Sequence, residues 1–160
     1  MTMHRRPLGG ARRLAGLASI VLIVACLLPW FGTSSESGLP PLSGNAFSGS
    51  GIVVFFVALA VIALLALPYA AGDTPLSLDR PLSFLILAVI GWVAFAIRVI
   101  NLATTNIEVL FPTRAYGLWL AAIGLILLSR AVYDMQRERR VYAASPIRHE
   151  RRRGATGARG

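Results

Sequence analysis

Lysine is absent from this 160-residue chain, whose formal positive side chains are 16 arginines. Arginine codons are GC-rich and lysine codons are not, so the absence points to a GC-rich genome, most simply that of a high-GC bacterium. Acidic residues are scarce as well, seven against those 16. All seven fall outside the apolar stretches read below, which leaves none of the membrane-buried carboxylates that ion-coupled transporters use. The single cysteine, Cys26, cannot close an intramolecular disulfide. The two histidines, His4 and His149, stand in opposite polar tails, so no metal site is expected. Also missing are a glycine-rich phosphate loop with lysine, a Gly-x-Ser-x-Gly elbow and a His-Glu-x-x-His pair. This inventory disfavours an enzyme, and no cofactor is expected.

Apolar residues are in excess. Hydrophobic side chains make up 56% of the chain and the mean hydropathy is +0.66, well beyond a soluble globular protein. Residues 14–32 give 19 uncharged positions and residues 51–71 give 21. Each matches the ~20 residues a helix needs to cross a bilayer core. A third stretch, 82–103, is interrupted by Arg98 and Asn101 near its end. The fourth, 115–133, is the shortest in uncharged length: only 15 residues separate Arg114 from Arg130, about 22 Å of helix. Arginine side chains at both its ends can snorkel outward and lengthen it.

Charge bias sets the expected orientation. Arg5, Arg6, Arg12 and Arg13 precede the first stretch, and nine arginines from Arg130 onward attend the last, whereas residues 33–50 hold no basic residue. The positive-inside rule then places both tails in the cytoplasm and requires an even number of crossings. The expected fold is all-α, an antiparallel four-helix transmembrane bundle: an N-terminal tail 1–13, a membrane domain 14–133 and an Arg-rich C-terminal tail 134–160. That tail is expected to stay helical to about Tyr142. Trp30, Phe31, Phe55, Phe56, Tyr116 and Trp119 are expected to form an aromatic girdle at the outer face.

In the third stretch, Gly91, Ala94, Arg98, Asn101 and Thr105 recur at helical spacing and define a face of small and polar residues. Lipid disfavours Arg and Asn, so this face should look into the bundle or into an outer vestibule. Glu36 and Glu108 are the nearby acids that could pair with Arg98. Gly117, Ala121 and Gly124 in the fourth stretch, and Ala63, Ala66 and Ala70 in the second, read as helix-packing stripes within one chain, with a homo-oligomer as the alternative. Residues 23–26, ending in Cys26, resemble a lipoprotein cleavage box, although the apolar run continues after the cysteine. In the tail, Arg137, Arg139, Arg140, Arg151, Arg152 and Arg153 are expected to lie against anionic headgroups. They come without the interleaved aromatics that nucleic-acid binding uses, and no nucleic acid is expected.

Pro29-Trp30-Phe31, Ala46-Phe47 after a Gly-rich loop, and Tyr116-Gly117-Leu118-Trp119-Leu120 together resemble a group of small four-pass integral membrane proteins of actinobacteria. The resemblance covers about residues 14–140 and implies the four-pass fold but no activity. Function is therefore an expectation by elimination: an accessory or scaffold protein of the bacterial plasma membrane with a membrane-protein partner. Two other readings stand beside it, a small transporter or channel subunit with an outer polar site at Arg98 and Asn101, and an envelope protein anchored by lipid on Cys26.

Overall fold

The structure is a computed structural model that describes residues 9–32, 43–70, 80–105 and 115–143. Among the described residues the fold is all-α apart from one two-residue strand pair. Helix α1 spans Gly10–Leu27, α2 Gly51–Ala70, α3 Arg80–Thr105 and α4 Tyr116–Ala143. Between α1 and α2, strand β1 (Phe31–Gly32) pairs antiparallel with β2 (Ser43–Gly44), with Phe31 opposite Gly44, and a 3-10 turn covers Ala46–Ser48.

Among the described residues, three helical stretches are long and apolar enough to cross a membrane: Gly10–Leu27, Leu82–Thr105 and Tyr116–Glu138. In α2 the apolar stretch among the described residues is the shorter Gly51–Leu67. The protein therefore has the composition and helix lengths of a membrane protein. The fourth helix, which uncharged length alone makes marginal, is the longest of all at 28 residues. It continues past Arg130 because that side chain stays at the surface, pairs with Asp134 one turn on at 3.4 Å and lies 6.0 Å from the Tyr133 ring. An (i, i+4) pair of this kind supports the helix instead of ending it.

The first helix stops earlier than its apolar run. Proline restricts the residue before it to extended backbone, and Leu28 sits at φ −81°, ψ 159° ahead of Pro29. Trp30 and Phe31 thus leave the helix and turn back toward the bundle. Trp30 is fully buried, its Nε1–H donating to the Ala25 carbonyl at 2.8 Å and its ring meeting Phe95 edge-on at 6.1 Å. The girdle expected at the outer face loses this member, because burial with a satisfied donor holds the indole more firmly than the interface. Tyr116 and Trp119 are exposed at the start of α4.

The core is built on a seam of small residues. Ala11, Ala15, Ala18, Leu22 and Ala25 are buried at alternating spacings of four and three, the 3.5-residue repeat that keeps one helix face against a neighbour. Helix α1 packs on α4 and α2, α2 on α3, and α3 on α4, so the four close into a ring. Small side chains let backbones approach where lipid gives helices no hydrophobic reason to associate. A Cβ on Gly117 would lie 2.7 Å from the Pro29 carbonyl oxygen and 2.9 Å from that of Ala25, and one on Gly124 would lie 2.8 Å from Leu22. The beginning of α4 therefore meets the end of α1, and its middle meets the middle of α1. Gly91 of α3 fits against Leu125 and Val57 in the same way. Ala121 is buried with them. Ala63 and Ala66, by contrast, are exposed, and Ala63 lines an open groove of about 440 Å³ between α2 and α3. The packing stripe expected of the second helix is not a contact face among the described residues; Val54, Val57, Ala58 and Val61 are buried instead.

Candidate functional site

Among the described residues the interior holds little polar chemistry. Ser19 is the one fully buried polar side chain, and its hydroxyl donates back to the Ala15 carbonyl at 2.8 Å. A second polar link joins α3 to α4: Trp92 Nε1–H donates to Ser129 Oγ at 2.9 Å, and Ser129 donates on to the Leu125 carbonyl at 2.9 Å. The first satisfies a donor within the core and the second does so at the exposed edge of the α3–α4 contact; neither carries a reactive group.

Arg98 is different. It stands on α3 below the end of the bundle where β1, β2 and the 3-10 turn fold over the helices. Its side chain is partly buried, with Cζ 5.6 Å from the centre of the Phe31 ring. Gly49 leaves room for the guanidinium: a Cβ there would lie 2.5 Å from Nη1 and 3.0 Å from Cζ. Space is the reason for glycine, since its φ of 171° is extended backbone. Arg98 Nε is sealed from solvent and has no hydrogen-bond partner, and Ser50 Oγ is in the same condition.

The local fold that builds this corner is short. Asn45 Oδ1 accepts the Phe47 N–H at 3.1 Å and caps the 3-10 turn, and Trp30 N–H donates to the Gly44 carbonyl at 2.8 Å. Gly44 has no side chain because the Phe31 ring occupies the place of a Cβ. The strand pair thereby lays Phe31 beside Arg98, and the turn delivers Gly49 and Ser50 to the first residue of α2.

The polar face expected on α3 divides. Gly91, Ala94 and Leu102 are buried and Arg98 is partly buried, whereas Asn101 and Thr105 are exposed. At about 100° per residue, ten residues bring Asn101 about 80° away from Gly91, to the edge of the buried arc. The hydroxyls of Thr104 and Thr105 donate to the Asn101 carbonyl at 3.0 and 2.9 Å, so they are satisfied locally. Glu36 and Glu108 lie outside the described residues, as do Arg151, Arg152 and Arg153. Arg137 and Arg140 are exposed on the last turns of α4, and Arg139 is in the same helix. Cys26 is fully buried in the core, and among the described residues no three His, Cys, Asp or Glu side chains gather.

Phe31 and Gly49 were not legible as neighbours of Arg98, since the contacts join positions 67 and 49 residues apart in sequence and depend on a loop that reads only as Gly- and Ser-rich. No protein-family model, no curated protein and no solved structure matches the chain.

Proposed function

We propose that this protein is an antiparallel four-helix transmembrane bundle of the bacterial plasma membrane, with both termini cytoplasmic, acting as a non-enzymatic accessory or scaffold protein. The observation that carries the reading is the contrast between surface and interior. Large apolar side chains are exposed on all four helices, among them Ile20, Phe56, Val93, Ile100 and Ile126, while the enclosed core is almost wholly apolar and closely packed. The outer surface suits lipid and other membrane helices, and among the described residues the core offers no run of polar groups along which a solute could move. Arg137, Arg139 and Arg140 extend the last helix beyond its apolar part and suit anionic headgroups, each worth ~1 kcal/mol near the surface. A membrane-protein partner is the expected occupant of part of the apolar belt.

Affinity purification of the full chain in mild detergent tests this. A membrane protein recovered in near-stoichiometric amount is the expected result, and recovery of the chain alone would remove the reading.

A transporter or channel subunit is the second reading, favoured by the partly buried charge of Arg98. Single cysteines at Gly91, Ala94 and Leu102 in a Cys26→Ser background, probed with a membrane-impermeant thiol reagent, separate the two. Labelling at these positions supports a water-filled path, and its absence supports a closed scaffold. The lipid-anchored reading has less behind it: cleavage before Cys26 would remove the helix that packs on α4, and the thiol itself lies in the core.

A further inference from the structure

We propose that the groove between the first half of α3 and the second half of α4 binds one anionic phospholipid, with an acyl chain along the groove and the phosphate at Arg137 and Arg140. The inference rests on the bundle spanning a bilayer and deepens the headgroup role of the last arginines; it does not rest on the accessory role.

The groove has a volume of about 200 Å³, with Leu85, Val89 and Trp92 on its α3 wall and Ser129, Tyr133 and Gln136 on its α4 wall. Its inner end is tied together by the bond from Trp92 Nε1–H to Ser129 Oγ at 2.9 Å. The Ser129 hydroxyl donates in turn to the Leu125 carbonyl, so the polar groups at that end are satisfied within the protein. Leu85 and Val89 are exposed apolar side chains of the kind that face hydrocarbon in a bilayer. Polar tips come only further along α4. Tyr133 stands one turn beyond Ser129 and Gln136 two turns beyond it, and their phenol and carboxamide can donate to ester or phosphate oxygens. Tyr133 is held there by Arg130, whose Cζ lies 6.0 Å from the ring centre. The wall therefore changes from apolar to polar along its length, in the order in which a phospholipid passes from chain to headgroup.

Charge selects the occupant. At about 100° per residue, Arg140 falls within about 40° of Ser129, Tyr133 and Gln136, so it continues the face of α4 that lines the groove. It stands about 6 Å along the axis beyond Gln136. Arg137 is one turn beyond Tyr133, and both arginines are exposed. The two acids of the same segment lie elsewhere. Glu138 is about 180° around the helix from Ser129. Asp134 is about 120° from Arg140, and it pairs with Arg130 at 3.4 Å. Acidic and basic side chains are thus segregated around α4, with positive charge on the line that leaves the groove. Arginine holds a phosphate with two parallel donors. An anionic headgroup places no cation of its own beside these arginines, whereas a zwitterionic one does, which makes the site selective between them.

The test uses the full-length protein, delipidated in detergent, with thermal unfolding followed during titration by phosphatidylglycerol or phosphatidylcholine in mixed micelles. Saturable stabilisation by phosphatidylglycerol is expected, with phosphatidylcholine about tenfold weaker. Native mass spectrometry before delipidation should show one retained anionic phospholipid. Arg140→Gln should weaken binding about fivefold. Glu138→Gln, on the far face, should change it by less than about twofold. Val89→Trp puts an indole into the groove from its exposed wall and should weaken binding about tenfold by steric exclusion. Leu85→Trp, on the same exposed wall, repeats that arm, so that a folding defect in one variant leaves the test standing. The proposal is overturned if phosphatidylglycerol gives no saturable stabilisation, or if phosphatidylcholine binds equally well, which would mean ordinary lipid contact without headgroup recognition. It is also overturned if Glu138→Gln strengthens binding as much as Arg140→Gln weakens it, since the attraction would then be diffuse. Unchanged phosphatidylglycerol binding in both tryptophan variants overturns it as well, and loss of the purification partner in the same variants would identify a protein as the occupant of the groove. Absence of phosphatidylglycerol binding with the purification partner present would strike this inference alone, whereas absence of the partner with binding intact would strike the scaffold reading alone.

Discussion

Position 117 has hydrogen where any other residue would put carbon into three backbone carbonyls. Its amide also donates to the Pro29 carbonyl at 2.9 Å, which fixes how closely the start of α4 sits on the end of α1. Gly117→Ala should therefore overpack the seam and cost about 1–3 kcal/mol. Gly10→Ala is the matched control, because a Cβ there meets nothing within 4 Å, and it should change stability by no more than about 0.5 kcal/mol. Unfolding midpoints of the two variants in one detergent check the contrast; equal shifts would mean that the close approach is not what Gly117 provides. Trp30 makes a second prediction at this scale. Trp30→Phe keeps most of the volume but removes the donor to Ala25, for a loss of about 1 kcal/mol, whereas Trp30→Ala should lose about 3–5 kcal/mol. Similar midpoints for the two variants would show the indole to be dispensable. Gly117 was legible as a small residue on a helix face. The burial of Trp30 was not, because its position depends on a chain reversal that follows the helix and not on the period of the helix itself.

Helix α3 and helix α4 are held together by a serine that both accepts and donates. Interhelical hydrogen bonds in membrane proteins average about 0.6 kcal/mol, since the alternatives within the membrane also find partners. Ser129→Ala and Trp92→Phe should each cost about that much beyond any loss of packing, and the double variant should cost less than their sum. A double-mutant cycle on unfolding midpoints measures the coupling, and additivity of the two changes would show that the bond contributes nothing. The ends of the elements show how local rules and tertiary contacts share control. Pro29 stops α1 by a rule that acts between adjacent residues, so a reading that carried the first stretch to residue 32 overran it by relying on hydropathy alone. The long extension of α4 could be read from its sequence because helix-forming residues and the Arg130 to Asp134 spacing continue through the polar segment.

For the molecule as a whole, orientation should follow the arginines. Replacing Arg130, Arg137, Arg139 and Arg140 together with Gln removes positive charge from the segment next to the last span, where such charge acts most strongly on insertion. A paired cytoplasmic and periplasmic reporter fused after Gly160 should then change from almost entirely cytoplasmic signal to a mixture of both. A wild-type fusion active on the far side of the membrane would contradict the proposed topology outright. Burial of Cys26 supplies a check on packing. A lipid-permeant maleimide should label it at least tenfold more slowly in the native protein than after denaturation, an order-of-magnitude consequence of its needing an opening of the core to react. Rapid native labelling would mean that the α1 seam is not closed.

Composition, apolar run lengths and the near-absence of charge within those runs determined by themselves that the chain is helical and suited to a membrane, because transfer of polar groups into hydrocarbon is costly wherever they fall in the sequence. The small residues at 91, 117, 121 and 124 were legible for a related reason, as helical period alone places them on a face. Tertiary structure decided which faces were used. It turned Asn101 and Thr105 outward, left Ala63 and Ala66 uncovered, drew Trp30 into the core, and brought Phe31 and Gly49 to Arg98. These outcomes depend on how four helices rotate against one another and on where a loop closes. Neither is encoded in the spacing of any single segment.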